Sequence, residues 1–368
     1  MKSLQRIARL SFYLALFAGF VGFGVWQSRS WWEQAIAPPV SLEATQKKNS
    51  STATTKVIKI APGTPAQQIG QQLESAGLIR SATAWKLWAR WLKWKDSSGD
   101  FKSGTYELSP TQPMTAIAEK IWQGDVMTLT FTIPEGWSIK RMAEEFESKG
   151  FFKAEEFIKA ASQIPKSQYP WLPDGIPHLE GFLFPDTYQL LRDDVTPQAV
   201  LKQMLTRFQE VALPLYQQSQ KPNKLSLLEW VTLASIVEKE SVIPSERYII
   251  AGIFARRLQE GMTLGADPTV EYGLGITQTP DQPLTFAQVK TPNPYNTYIN
   301  PGLPPTPIAS PGLASLKAAL NPQKTEYLYF VARYDGSHVF SRTLAEHEAA
   351  QNAIHNERAQ KRQSQSPR

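Results

Sequence analysis

The chain has 368 residues, and 39 lysines and arginines against 33 aspartates and glutamates give it a formal net charge of +6. This length allows two or three domains, and the modest, scattered positive charge fits an anionic polymer or a membrane surface rather than nucleic acid. With no cysteine and no HExxH, GxGxxG or P-loop motif, the sequence excludes disulfides, thiolate nucleophiles and cysteine-bound metals, and it predicts no cofactor.

The first predicted element is a transmembrane anchor over residues 10–27. Apart from Ser11, residues 10–26 are apolar or small, and three basic residues precede them in the short tail at 1–9. The positive-inside rule places that tail in the cytoplasm and the rest of the chain outside it. A cleaved signal peptide is the alternative, but the small-residue motif at 35–37 lies well beyond the apolar run and behind two tryptophans.

The next segment, 28–55, is polar and predicts a flexible tether. At the other end of the chain, 351–368 is a polar basic tail, and we expect its last residues, 356–368, to be solvated and disordered. The folded part of the chain is therefore expected between residues 56 and 350.

Residues 56–124 predict a small α+β module. The pattern gives strand, helix, helix, strand and helix over 57–60, 64–76, 84–94, 104–108 and 114–122. Trp85, Trp88, Trp91 and Trp94 recur at a spacing of three in the second helix. A core stripe is favoured for most of them over a sugar-stacking surface.

Residues 125–350 predict a second, mixed α+β domain with a helical core that carries glutamates. Strands are expected over 126–133, 327–332 and 338–340, the last two joined by a turn at Asp335-Gly336. Helices are expected over 138–148, 197–211, 225–240, 245–260 and 313–320, with loop-rich blocks at 178–188 and 291–312. The fold class is therefore α+β.

The helix predicted over 225–240 reads as amphipathic and ends in a Glu-Lys-Glu sequence. At 100° per residue, three apolar residues at 233, 236 and 237 lie within about 60° of Glu240, whereas Glu238 is about 160° away. A carboxyl group on an apolar face is costly to ionise, so its pKa should rise. Such a group can act as a general acid near neutral pH.

Helix geometry by itself favours a different role for Glu240. An acid in this position is more often paired with an arginine on a neighbouring helix, such as Arg256 or Arg257. Glu238 is a poor catalytic partner for Glu240, because residues i and i+2 of a helix do not face each other. It is expected to be a solvated or structural acid.

Six blocks of sequence resemble the YceG-like endolytic murein transglycosylase family, in the family's order over roughly residues 57–350. They are LEGFLFPDTY at 179–188, ASIVEKE at 234–240, DPTV at 267–270, NTY at 296–298, GLPP at 302–305 and KTEYLYFV at 324–331. Several long blocks in order are more specific than any single motif.

The resemblance implies a membrane-anchored enzyme that cuts nascent peptidoglycan strands within the chain at the MurNAc–GlcNAc bond, leaves 1,6-anhydroMurNAc ends and so terminates elongation. It implies a LysM-like module at 56–124, a catalytic domain at 125–350 and no cofactor. The implied partners are glycan strands, peptidoglycan synthases and the cytoplasmic membrane. One helix is expected to cross that membrane and to place the catalytic domain on its outer side. The family's catalytic glutamate is the second of the Glu-Lys-Glu block, here Glu240. The resemblance therefore favours a catalytic role for Glu240 over the ion pair that helix geometry by itself favours.

Other residues of the resembling blocks are candidates for binding substrate. Asp267 is a possible second carboxylate or a cap of its Asp-Pro-Thr turn. Tyr295, Asn296 and Tyr298 have the chemistry of a sugar cleft, although prolines also rigidify their loop. Glu180 either contacts substrate or buttresses the turn that follows it. Ser241 completes a Glu-Ser pair similar to that of other lytic transglycosylases.

Two alternatives remain at this point. One is a hydrolytic muramidase that uses Glu240 together with Asp267, since glycoside hydrolysis ordinarily needs two carboxylates. Another is a non-catalytic scaffold that binds peptidoglycan and tethers the wall synthases. The family has also been labelled aminodeoxychorismate lyase, but a cytosolic pyridoxal enzyme fits badly with an anchored, exported chain.

Overall fold

The computed structural model describes residues 20–40, 55–219, 225–279, 282–333 and 335–365, with the backbone alone over 359–365. The anchor predicted at 10–27 lies mostly outside these residues, as does half of the tether, residues 41–54. Residues 20–36 are helical, so the prediction of a tether from residue 28 is wrong as far as residue 36. Among the described helices, none is long and apolar enough to cross a membrane.

The chain divides into two compact units. The first contains residues up to 129 together with 191–194, and the second contains 130–190 and 195–368. Neither unit is therefore one continuous segment of chain.

Within the first unit, residues 56–124 have the element order that their sequence predicts. The elements are β1 (Lys56–Ile60), α1 (Ala66–Ser75), α2 (Ala82–Lys95), β2 (Gly104–Leu108) and α3 (Met114–Gln123). Strands β1 and β2 pair antiparallel, with Lys56 opposite Leu108. Ser81 caps α2 by accepting the N–H of Ala84 at 3.2 Å, and Gly124 ends α3 in the left-handed conformation at φ 78°.

The tryptophans of α2 do not form one core stripe. Trp85 is fully buried and donates its indole N–H to the carbonyl of Ala66 at 2.7 Å, and Trp88 is partly buried. Trp91 and Trp94 are 40% and 82% exposed, so the core prediction is wrong for these two. Residues three positions apart in a helix are rotated by about 60° relative to each other. The four tryptophans therefore extend from the core side of the helix to its exposed side.

The remaining elements are mostly helical. They are β3 (Thr128–Thr132), α4 (Ile139–Ser148), α5 (Ala154–Ala161), β4 (Thr187–Leu191), α6 (Pro197–Val211), α7 (Leu213–Gln218), α8 (Leu227–Glu240), α9 (Arg247–Gln259), α10 (Asp267–Leu274), α11 (Phe286–Val289), α12 (Leu313–Leu320), β5 (Tyr329–Ala332), β6 (His338–Ser341) and α13 (Leu344–Gln365). Strand β3 pairs with β4, and β5 pairs antiparallel with β6 around the predicted turn. The fold is mixed α+β, with small two-stranded sheets between helices.

Several elements are absent from the sequence prediction. Strand β4 begins within the block predicted as loop, and α10 begins at the Asp-Pro-Thr turn, with Pro268 in its first turn. Helix α13 replaces the disordered end predicted at 356–368 as far as residue 365. This helix is polar and lacks an apolar period, but it packs against the β5–β6 hairpin, which supplies tertiary support that the pattern does not show.

Helix α8 lies at the centre of the second unit. All eight residues from Trp230 to Val237 are buried, so the amphipathic reading of this helix is wrong. It packs against α9, α10 and α12, and the Trp230 indole donates to the carbonyl of Leu316 at 2.9 Å. A capping box formed by Ser226 and Glu229 begins the helix.

Candidate active site

Glu240 is the last residue of α8. The helix ends there because Ser241 adopts an extended conformation, while its N–H still donates to the carbonyl of Val237 at 3.0 Å. Residues 230–237 of the helix are buried, whereas Glu240 is partly buried, so the helix leads from the core to this carboxyl at the edge of the core. Ser241 itself is buried, and its hydroxyl has no hydrogen-bond partner in the described part of the chain.

The surroundings of Glu240 favour a protonated carboxyl. Burial raises its pKa to about 8, and the negative charges of Asp267 and Glu271 on α10 act in the same direction, whereas Lys239 and Arg257 oppose them. No described residue forms a hydrogen bond or an ion pair with this carboxyl.

The arginines proposed as ion-pair partners are engaged elsewhere. Arg256 pairs with Glu260 at 2.7 Å. Arg257 lies close enough to influence Glu240, but its guanidinium donates to the carbonyls of Leu328 at 2.6 Å and Leu264 at 2.7 Å. The ion-pair interpretation of Glu240 is therefore wrong.

Asp267 is the first residue of α10 and makes no capping bond to that helix. Its carboxylate accepts from the Tyr298 hydroxyl at 2.6 Å and from the Gln278 amide at 3.3 Å. Burial and Asp267 both raise the pKa of Tyr298, so its hydroxyl remains a proton donor to Asp267. Asp267 therefore does not cap its helix. Instead, Tyr298 holds the Asp267 carboxylate in place near Glu240.

Glu271 is the acid that sequence reasoning missed. It lies one turn after Asp267 on α10, and its carboxylate accepts the backbone N–H of Gln278 at 2.7 Å. Residues i and i+4 share a helix face, so both acids can act on Glu240. The Asp267–Glu271 spacing would have been a signal, but only if residues 267–274 had been predicted as a helix.

Glu180 is a second carboxyl with a raised pKa. It is 2% exposed, and burial raises its pKa to about 8. Its oxygens accept the Ile139 N–H at 3.0 and 3.1 Å, and one of them accepts from the Tyr272 hydroxyl at 3.1 Å. Because Ile139 begins α4, Glu180 fixes that helix start to α10, which supports the buttressing alternative.

A cleft of about 590 Å³ opens beside Glu180. Its lining includes charged, aromatic and small side chains, among them Lys140, Arg141, Glu144, His178, Glu180, Glu271, Tyr272 and Tyr295. Glu240 does not line it, but Glu271 faces the cleft and also acts on Glu240. The rings of Tyr272 and Tyr295 meet edge to face with centroids 4.8 Å apart, an aromatic wall of the kind that sugars contact.

The loop residues predicted to bind substrate divide into two groups. Tyr295 and Tyr298 reach the cleft and Asp267, respectively. Asn296 is 1% exposed, and its amide donates to the carbonyls of Val289 and Thr291 while its oxygen accepts the Tyr298 N–H. The structure therefore contradicts the substrate-binding prediction for Asn296, because this side chain is buried and used to shape the loop.

Glu238 is a structural acid. It accepts the N–H of Gly312 at 3.0 Å, and its other oxygen lies 3.8 Å from the Arg247 guanidinium, with both side chains nearly buried. Glu135 is close by, and burial together with Glu238 raises its pKa. Glu238 thus ties the end of α8 to the starts of α9 and α12, which positions the last turn that carries Glu240.

Known proteins match this chain over most of its length. The model of the YceG-like family matches residues 58–353. A Bacillus subtilis protein named endolytic murein transglycosylase is 32% identical over 322 residues, which cover 84% of this chain and 86% of the relative. A Streptococcus pneumoniae protein of the same name is 30% identical over 79% of this chain, and the match spans 58% of that longer relative.

A solved structure supports the same assignment. The crystal structure of a yceG-like protein from Listeria monocytogenes superposes with a TM-score of 0.55 at 31% identity, covering 81% of this chain and all of that one. The chain belongs to the YceG-like family.

Proposed function

We propose that this chain is an endolytic murein transglycosylase in which Glu240 is the proton donor and then the proton acceptor. The family match and the names of the B. subtilis and S. pneumoniae relatives support the activity. The observation that supports the role of Glu240 is its carboxyl at the end of a buried helix, with a pKa near 8 and no ion-pair partner among the residues that the structure describes. The substrate is the glycan strand of peptidoglycan.

The reaction needs one carboxyl group that changes role. Protonated Glu240 gives its proton to the oxygen that links MurNAc to GlcNAc, and the bond from C1 of MurNAc to that oxygen breaks. The C6 hydroxyl of the same MurNAc bonds to C1, and the Glu240 carboxylate takes its proton. Intramolecular attack supplies proximity and consumes no water, so the new end is 1,6-anhydroMurNAc.

The neighbouring acids prepare this step. The charges of Asp267 and Glu271 help to hold the proton on Glu240 before the bond breaks. As the bond breaks, positive charge develops at C1 of the sugar, and fixed negative groups nearby stabilise it. The cleft beside Glu271 gives the adjoining sugars an aromatic wall.

The test compares the wild-type chain with Glu240→Gln on intact peptidoglycan, with products weighed by mass spectrometry. We expect anhydro ends from the wild type and at least a hundredfold loss of rate in the variant, as removal of an acid–base group typically gives. Glu260→Gln, a surface acid paired with Arg256, is the matched control and should cleave normally.

Two outcomes would replace the proposal. Reducing MurNAc ends would indicate a hydrolytic muramidase, for which Asp267 beside Glu240 is the observation in favour. Equal rates for Glu240→Gln and the wild type, or no cleavage by either, would indicate a scaffold that binds peptidoglycan without cutting it.

We also propose that the chain is a single-pass protein of the cytoplasmic (inner) membrane, with its N-terminus in the cytoplasm and its catalytic domain on the outer side. Two features of the sequence support this topology, the basic tail and the apolar run at 10–26. The described helix adds a third, since the apolar side chains of Phe20, Phe23 and Trp26 are exposed on it. Residues 56–124 would then serve as a LysM-like module, and wall synthases are the proposed partners. Protease added to spheroplasts should digest the chain beyond its anchor, and protection of residues 56–350 would contradict this topology.

A further inference from the structure

Helix α2 presents an apolar face that the first unit does not bury. Leu87, Trp91 and Trp94 are 45%, 40% and 82% exposed. At 100° per residue these three side chains lie within an arc of about 60°. They point away from Trp85, which is fully buried on the opposite side of the helix. Exposed indole and leucine side chains in one arc indicate a surface that has an apolar partner.

The charges of α2 all have one sign. The helix contains Lys86, Arg90, Lys93 and Lys95 and no acidic residue. Arg90 and Lys95 flank the apolar face on its two sides, and the Lys95 ammonium lies 5.2 Å from the centre of the Trp91 ring. Lys93 lies 4.0 Å from Asp100, and both of these side chains are exposed. An apolar arc bordered by cations is typical of a helix that lies in the interface of an anionic membrane.

The face continues into the N-terminal helix through tryptophans. Trp31 and Trp32 have ring centroids 6.3 Å apart, and Trp32 and Trp88 lie 6.2 Å apart. Trp88 stacks on Trp91 at 4.5 Å. The end of the helix that leads from the predicted anchor therefore joins the α2 face directly.

We propose that this face of α2, formed by Leu87, Trp91 and Trp94, inserts into the headgroup layer of an anionic bilayer and gives the chain a second membrane contact. The inference goes beyond the enzymatic activity but rests on the membrane anchoring proposed above. Tryptophan favours the headgroup level, leucine favours the acyl boundary, and Arg90 and Lys95 at the edges of the face match anionic lipid. The first unit is then held against the lipid surface rather than displayed far from it.

The absence of cysteine makes a single-label experiment direct. The full chain carrying Trp94→Cys receives a nitroxide label and is reconstituted into vesicles of phosphatidylcholine and phosphatidylglycerol. Because Trp94 is mostly exposed, its replacement should leave the thermal transition unchanged. Gln71→Cys, an exposed position of α1 in the same unit, is the matched control.

We expect the label at residue 94 to collide several-fold less often with an aqueous nickel reagent than the label at residue 71, and more often with oxygen. Adding Leu87→Gln and Trp91→Gln in the Trp94→Cys chain should restore access to the nickel reagent. Vesicles of phosphatidylcholine alone should weaken the shielding, because the basic residues then lose their anionic partners.

Three outcomes overturn the proposal or its premise. A chain that floats with the vesicles but leaves residue 94 as accessible as residue 71 overturns the second contact. Shielding that requires soluble peptidoglycan fragments and not lipid would assign the face to glycan instead. A chain that does not float with the vesicles contradicts the anchoring and leaves the enzymatic proposal to its own test.

Discussion

Glu180 and Glu240 both have a pKa raised to about 8 but differ in what surrounds them. Glu180 is buried and accepts the backbone N–H of Ile139 and the hydroxyl of Tyr272. No residue in the described part of the chain donates to Glu240, which lies near two further acids. Burial is the largest cause in both cases. Glu180 is therefore suited to hold structure, and Glu240 to exchange a proton.

The pH dependence of cleavage tests the role of Glu240. Because the acid must be protonated, the rate should fall as the pH rises through about 8, by about tenfold for each further pH unit. Asp267→Asn or Glu271→Gln removes a negative charge that raises the pKa of Glu240, so the fall should begin at a lower pH. Initial rates of anhydro-product formation across the pH range measure this shift. A fall at the same pH in all three chains would contradict the assignment.

The stability of the second unit should also depend on pH through Glu180. An unfolded glutamate titrates near 4.5, whereas folded Glu180 keeps its proton to about pH 8, so the folded state loses stability as the pH rises between these values. One unit of pKa shift corresponds to about 1.4 kcal/mol, which puts the loss at up to roughly 5 kcal/mol.

Glu180→Gln separates this effect from the rest of the chain. The amide cannot ionise but can still accept the Ile139 N–H, so its midpoint of thermal unfolding should change less between pH 5 and pH 8 than that of the wild type. Glu144→Gln, which replaces a solvent-exposed acid of the same cleft, is the control. Equal pH profiles for Glu180→Gln and the wild type would count against a buried, protonated Glu180.

At the scale of elements, the last turn of α8 is held by polar contacts to its neighbours. Glu238→Ala removes the acceptor of the Gly312 N–H and leaves Arg247 nearly buried beside Glu135. We expect the free energy of unfolding to fall by about 3 kcal/mol, as it does when one partner of a buried ion pair is removed. Urea unfolding measures this loss.

The control for Glu238→Ala is Glu260→Ala, since Glu260 forms a more exposed pair with Arg256. That change should cost less than about 1 kcal/mol. Similar costs for the two variants would mean that Glu238 does not tie α8 to its neighbours.

Helix α9 offers a case in which propensity and packing disagree. Alanine is favoured over glycine in a helix by about 1 kcal/mol, so the sequence alone predicts that Gly252→Ala stabilises α9. In the structure, a Cβ atom at residue 252 would lie 2.0 Å from the carbonyl oxygen of Gln323. We therefore expect a loss of about 2 kcal/mol, because the crossing segment must move.

Denaturant unfolding of Gly252→Ala measures that loss. Ala255→Gly in the same helix serves as the reference for propensity, with an expected cost of about 1 kcal/mol. If Gly252→Ala is more stable than the wild type, the close approach of the segment at Gln323 is incorrect.

At the scale of the whole molecule, the first unit includes a short piece of chain from far along the sequence. Residues 191–194 belong to it, and Asp193 accepts from the Thr105 hydroxyl at 2.6 Å and from Lys59 at 3.0 Å. These bonds join the piece to both strands of the β1–β2 sheet. The first unit is therefore incomplete if the chain is cut after residue 129.

Asp193→Ala tests this organisation in the full chain. We expect faster hydrogen exchange of the amides in β1 and β2, since the bonds from Thr105 and Lys59 are lost. Asp194→Ala, which replaces the adjacent exposed acid, should leave the exchange unchanged. Equal exchange in Asp193→Ala and the wild type would contradict a supporting role for residues 191–194.

The sequence alone determined the mixed α+β class, the elements with a strong period and the family, because periodicity, capping residues and ordered motifs are local properties. Helices α6 and α12 and strand β2 begin and end where the pattern places them. Glu240 was selected as the candidate catalytic acid by the same means, through its block of sequence and its place at a helix end.

Only the tertiary structure decided what surrounds these elements. It buried residues 230–237 of α8 on all sides, placed Asp267 and Glu271 beside Glu240, and directed Arg257 to backbone carbonyls instead of Glu240. It also divided the tryptophans of α2 between core and surface. The physical reason is that burial and charge at a side chain depend on groups distant in sequence, and a local pattern carries no record of them.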